Sequence, residues 1–112
     1  MLKKNRRVNL KTEFKRIAQG KRLETEHFVF FTLQTKELHD VRVGVAVAKK
    51  NYRHAHERNK VKRICFTVIE NVMERLSKGM NLVIMPKLGI TRTSTKALID
   101  EINTLHYLYR SH

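Results

Sequence analysis

The clearest periodic stretch in this chain runs through Val61, Ile64, Cys65, Val68, Val72 and Leu76, which are separated by 3, 1, 3, 4 and 4 positions. At about 100° per residue that spacing stacks all six on one side of an α-helix. The pattern predicts a helix from about His56 to Ser77, stopped at Gly79. Asn59, Lys60, Lys62 and Arg63 fall mostly on the opposite side, with Arg58 at the boundary. The first turns therefore present a cationic face at a helix end that already carries about half a positive charge. Such an arrangement makes sense when a polyanion binds there, because spare backbone N–H groups and the dipole then add to the side chains. Its bland alternative is a solvated basic face.

The other elements are shorter. Thr12 is an expected N-cap of a two-turn helix in which Phe14, Ile17 and Ala18 form one apolar edge and Gly20 stands at the C-cap position. So short a helix has to dock on something. His27 to Leu33 is rich in aromatic and β-branched residues and reads as a strand, with Phe28 and Phe30 on one face and Val29 and Phe31 on the other. Val41 to Ala48 alternates. Val43, Val45 and Val47 form a core face, and the small residues Gly44, Ala46 and Ala48 share the opposite face with Arg42. Asn81 to Met85 reads as a buried strand closed by Pro86, and a loop covers Lys87 to Thr93. A final helix begins near Ser94 and is expected to bury Leu98, Ile102, Leu105 and Tyr109. Helix, two or more strands, helix, strand and helix imply an α/β sandwich. The strand–helix–strand unit around the long helix would be right-handed by the general rule if its strands are parallel neighbours.

Charge sharpens this picture. The 112 residues fit one domain, and 24 Lys and Arg against 10 Asp and Glu give a net charge of +14. The excess is concentrated: residues 1–22 carry nine bases and one acid, and residues 49–63 carry seven and one. Residues 23–48, in contrast, are slightly acidic. A solubility-driven surface would not be so uneven, whereas a nucleic-acid partner accounts for it. Residues 1–8 are expected to form a flexible basic arm. No run approaches the 18 or more apolar residues of a membrane span, and no apolar run follows Lys3, Lys4, Arg6 and Arg7 as in a signal peptide. The single cysteine, Cys65, excludes an intrachain disulfide and fits a small core hydrophobe in a reducing, cytoplasmic setting.

Catalytic chemistry is hard to find. The sequence has no Walker loop, no GxGxxG and no Ser/His/Asp signature, and His54 and His56 have no second Cys/His pair at zinc-ligand spacing. The ten acids form no recognisable paired-carboxylate motif, which argues against an independent metal-dependent nuclease.

Ala55-His56-Glu57-Arg58-Asn59-Lys60-Val61-Lys62-Arg63 resembles the arginine-asparagine-arginine signature of the protein subunit of bacterial ribonuclease P, with Lys60 at the third place. Val43 to Lys50 resembles the strand ending in paired lysines that precedes that signature, and Phe28 to Leu33 and Phe14 resemble the family's aromatic strand and helical aromatic. The resemblance covers roughly residues 6–108.

It implies an α+β fold in α-β-β-β-α-β-α order, with a four-stranded sheet like that of a ribosomal-protein domain. The crossover would be left-handed, against the general rule, and a short extra strand would lie near Lys21 to Glu24. The implied function is auxiliary to a ribozyme: a catalytic RNA subunit with Mg²⁺ removes the 5′ leader of precursor tRNA, and this chain holds no catalytic group. One protein would pair with one RNA.

Carried over, Arg58, Asn59, Lys60, Lys62 and Arg63 would contact the RNA subunit, supported by Lys49 and Lys50. The alternative for Arg58 and Asn59 is helix capping or local pairing with Glu57. Phe14, Val29 and Phe31 would line a cleft for the leader, with Phe66 added from the basic face, where the alternative is that it fills an interhelical gap. The alternative for Phe14 and Phe31 is plain core packing. The chain departs from the family pattern at Ala18, where a second aromatic is common, at Phe31, often Tyr, and at Phe66, often Arg. Whether the protein itself holds a metal is left open. The rival reading is a ribosomal or other structural RNA-binding protein.

Overall fold

The computed structural model describes residues 6–35, 40–105 and 108. In chain order the elements are α1 (Leu10–Ile17), β1 (Lys21–Glu24), β2 (Phe28–Gln34), β3 (Arg42–Val45), α2 (Ala55–Val72), β4 (Met80–Pro86) and α3 (Thr95–Asn103). Short 3-10 turns follow α2 at Met73–Arg75 and β4 at Ile90–Arg92. This is the expected α-β-β-β-α-β-α order, including the short extra strand. The sheet runs β1-β2-β4-β3, with β1/β2 and β2/β4 antiparallel and β3/β4 parallel through the α2 crossover.

One face of the sheet is sealed. Phe28, Phe30, Val43, Val45, Leu82 and Ile84 bury there against Val61, Cys65, Val68, Ile69 and Val72 of α2 and Leu98 and Ile102 of α3. The predicted stripe of α2 is therefore its buried face, except that Ile64 is only half-buried. α2 ends at Val72 rather than Ser77, because the chain tightens into the 3-10 turn that places Met73 and Leu76 in the same core. α3 begins just after Ser94, near where it was expected, and Ser94 caps it, its hydroxyl accepting from the Ala97 amide at 3.1 Å. Leu105 lies beyond the end of α3 and is half-buried. Tyr109 lies outside the described residues.

Among the described residues the other face is covered by α1 and the segment just before it: Val8, Leu10, Phe14 and Ile17 pack against Val83 of β4. Its N-cap is Asn9, not Thr12: the Asn9 side chain accepts from the Lys11 amide at 3.1 Å, and Leu10 already packs over Gly44. Nor does Gly20 act as a left-handed cap. α1 ends at Ala18, and Gly20 is needed because a Cβ there would lie 2.0 Å from the Thr32 carbonyl oxygen. The small residue Gly44 has a similar reason, since a Cβ would stand 3.0–3.1 Å from the Leu10 and Val8 side chains. Of the expected arm, residues 1–5 lie outside the described residues. Arg7 and Val8 belong to the fold, bridging to Val43, with the Val8 amide donating to the Val43 carbonyl at 2.9 Å.

Candidate nucleic-acid interface

Two regions take up the residues singled out in the sequence. The first is the front of α2. After β3 the chain turns at Ala48, whose carbonyl accepts from the Asn51 and Tyr52 amides at 3.1 and 3.2 Å. Tyr52 is buried, and its hydroxyl donates to the Lys87 carbonyl at 2.6 Å. Burial pushes the Tyr52 phenol upward. Arg58 closes the turn by donating from Nη1 to the Tyr52 carbonyl at 3.1 Å and the Arg53 carbonyl at 2.7 Å. Its role in the free protein is local, though through carbonyls rather than through Glu57.

Asn59, Lys60, Lys62 and Arg63 are exposed on the helix, and Lys49 and Lys50 are exposed on the turn before it. Among the described residues no carboxylate forms an ion pair with any of these cations. His56, Asn59, Lys62 and Arg63 line an open hollow of about 410 Å³. His54 and His56 stack beside it, with ring centroids 5.6 Å apart and planes 17° from parallel. The N-cap side chains of α1 and α3 each accept a hydrogen bond from a first-turn amide, whereas that of α2, His54, accepts none. An 18-residue helix thus has first-turn N–H donors uncapped by that side chain, with exposed cations in the turns that follow, and both would favour an anion.

The second region is the α1 face of the sheet. Strand register aligns Arg22, Phe31, Val83 and Gly44 in one row, and Glu24, Val29 and Met85 in the next. Phe14 meets Phe31 with ring centroids 5.7 Å apart and planes tilted by 50°. Phe14, Val29 and Phe31 are all half-buried, so together they leave apolar surface open beside α1.

Phe66 does not join them. It is buried in the main core with Phe28 and Phe30, on the other side of the sheet from Phe31. Extra apolar width on α2, reaching to Phe66 and Ile69, takes it into that core. Met85, Arg22 and Glu24 share the α1 face but escaped the sequence reading, since their alignment depends on strand order and register. Glu24 is bridged by Lys87 and, at 3.0 Å, by Arg22. Those cations hold its carboxyl below the usual range, Lys87 first.

Acid chemistry elsewhere is structural. Glu26, His27 and Glu101 lie close enough that one ligand atom from each falls within 4.8 Å of the others. Yet Glu101 already accepts from the His27 amide at 2.8 Å and from the Thr25 hydroxyl, and meets His27 Nδ1 at 2.6 Å. Thr93 Oγ1 engages the other ring nitrogen of His27 at 3.2 Å. A hard cation such as Mg²⁺ takes six oxygen ligands in near-ideal octahedral geometry, and this carboxylate, committed to the turn before β2, does not fit one. Burial works to raise the Glu101 carboxyl, but the hydrogen bonds from His27 and Thr25 outweigh it and hold it low. Cys65 is buried and its thiol is pushed up to about 12, which removes it as a nucleophile.

A four-stranded mixed sheet, sealed on one face and half-covered on the other, with a cationic helix front at one end, defines a small basic α+β domain suited to a polyanion. The family model described as Ribonuclease P matches residues 2–109, and the chain belongs to that family. Relatives named ribonuclease P protein component include one from Acinetobacter baylyi, 37% identical over 76 residues, which is 68% of this chain and 56% of the relative. Another, from Escherichia coli O157:H7, is 37% identical over 71 residues, or 63% of this chain and 56% of the relative. The matched stretch thus spans little more than half the length of these relatives.

Among solved structures, the ribonuclease P protein from Thermotoga maritima superposes with a TM-score of 0.78 at 25% identity, covering 88% of this chain and 93% of its own. That from Staphylococcus aureus gives 0.78 at 20% identity over 94% and 98%, a likeness of fold. Among the described residues no helix is long and apolar enough to cross a membrane.

Proposed function

We propose that this protein is the protein partner of a ribonuclease P RNA in the cytoplasm, one copy per RNA, and that it assists removal of the 5′ leader from precursor tRNA. The observation that carries the reading is the front of α2, where exposed Asn59, Lys60, Lys62 and Arg63 follow within three turns of first-turn amides that the His54 side chain does not cap. With Lys49 and Lys50 alongside, that surface suits phosphates of a folded RNA. Arg58 supports it by holding the preceding turn.

The second surface, Phe14, Val29 and Phe31, suits the unpaired leader, because base–aromatic stacking tolerates sequence and contributes about 1–3 kcal/mol per base. Hydrolysis, with its Mg²⁺, belongs to the RNA subunit in this reading. The family membership favours that assignment, and in this chain the Cys65 thiol is buried and held protonated while Glu101 is committed to His27 and Thr25.

Adding the protein to a cognate ribonuclease P RNA at low Mg²⁺ should stimulate leader removal by about tenfold or more. Binding without any stimulation would instead indicate a structural RNA-binding protein.

A further inference from the structure

Eight residues make α1 only about 12 Å long, and Ile17 is its one fully buried side chain. A helix so short and so lightly packed gains little position from apolar contact alone. What fixes it is polar. Arg42 at the start of β3 donates from Nη1 to Glu13 Oε1 and from Nη2 to Glu13 Oε2, both at 2.8 Å, with the two side chains 24% and 17% exposed. The same carboxylate accepts from the Asn9 amide at 2.8 Å, so the helix start is drawn into the pair. Arg42 also donates to the Arg7 carbonyl at 3.3 Å and approaches Asn81 Oδ1 at 3.5 Å. Buried Asn81 continues to the Leu33 carbonyl at 3.2 Å and the Thr35 hydroxyl at 2.8 Å. One connected set of hydrogen bonds thus runs from α1 across β3 and β4 to the end of β2.

A two-pronged guanidinium–carboxylate contact sets rotation as well as distance, which a single ammonium cannot do. The residue after Glu13 is Phe14, whose ring leans on Phe31. We propose that Glu13 and Arg42 are positioning residues that fix the height and angle of Phe14 over Phe31, and so the width of base that the cleft admits. The proposal rests on the leader reading of that cleft. It assigns the two residues a role in choosing an unpaired nucleotide and none in holding the RNA subunit.

The experiment uses the assembled ribonucleoprotein with Glu13→Gln, Arg42→Lys and, as a control, Phe31→Ala. Preference for leader-bearing over mature tRNA should fall about tenfold in both clamp variants, with affinity for the RNA subunit kept within about twofold. Arg42→Lys is the informative one, since it keeps the charge and loses the fork. Nuclear Overhauser contacts between the Phe14 and Phe31 rings should weaken in the same variants.

If Phe31→Ala lowers the preference and the clamp variants do not, the proposal is overturned. An equal fall in leader preference and RNA affinity, with loss of fold, would also overturn it, because the pair would then only stabilise the domain. If Phe31→Ala changes nothing, the leader reading fails. The clamp is then judged on ring contacts alone, and their persistence in Glu13→Gln refutes it.

Discussion

Phe30 and Phe31 are consecutive on β2 and point to opposite faces of one sheet. Phe30 is fully buried, packed against Phe28 with ring centroids 5.5 Å apart and roofed by α2 and α3. Phe31 is half-buried and meets one ring from a two-turn helix. The difference lies in what each face is given to bury against. The first has helices of 18 and 9 residues, and the second a helix of eight. A strand side chain of the same chemistry is core where the roof is complete and remains available to a ligand where it is not.

The sharpest way to break this comparison is to truncate both rings. Phe30→Ala should cost about 3–5 kcal/mol in denaturant unfolding, a large part of what a small domain has. Phe31→Ala should cost about 1–2 kcal/mol, because less area leaves water. Equal losses would mean that Phe31 is core and that the second face is not open.

Most of the first face was legible from the sequence, and the second was legible only in part. Val61, Cys65, Val68 and Val72 announce their burial because a helix repeats its face every 3.6 residues over many turns. Glu13 and Arg42 give no such signal: they stand 29 positions apart and meet only once β3 is placed beside α1. Thr12 looked like a cap on residue type, while the actual cap, Asn9, is chosen by where Leu10 packs. β1 has too few residues for its alternation to be read alone and came from family likeness. For the cationic front the wheel was sufficient, since exposure of Asn59, Lys60, Lys62 and Arg63 follows from the burial of their neighbours.

Acid offers a second comparison, between the carboxylates that fasten each helix layer. Glu13 holds α1, and the Arg42 guanidinium keeps its carboxyl below the usual range against the opposing effect of burial. Glu101 holds the turn before β2 to α3 and is also held low. For both groups the folded pKa lies below the unfolded one. Their contribution is therefore complete above about pH 4.5 and is lost as pH falls through the depressed folded values. Each should account for about 1–3 kcal/mol of acid destabilisation, removed in Glu13→Gln and Glu101→Gln respectively. The two should differ in extent. Protonating Glu13 should release α1 with the rest intact, seen as loss of Phe14–Phe31 ring contacts before global unfolding, whereas protonating Glu101 should lower the global transition itself. Simultaneous loss of both signals in the wild type would mean that α1 and the sealed face are one cooperative unit.

The smallest expected effect tests the border between the two faces at Phe66. Its place on the basic side of the helix wheel leaves two roles, stacking on a base or filling a gap between helices, and it is 7% exposed in the cluster that contains Phe28 and Phe30. Its neighbours Lys62 and Arg63 lie one turn earlier on α2 and are exposed. Phe66→Leu keeps an apolar side chain of nearly the right volume, so stability should fall by only about 1 kcal/mol. A leucine cannot stack on a base, so a ligand role would show as weaker leader binding by about 1–3 kcal/mol, larger than the stability change. The same substitution at Phe31 should give the reverse balance: little loss of stability and a clear loss of leader preference. Measuring the pair side by side separates the faces without unfolding either, and weakened leader binding by Phe66→Leu at unchanged stability would return that residue to the cleft.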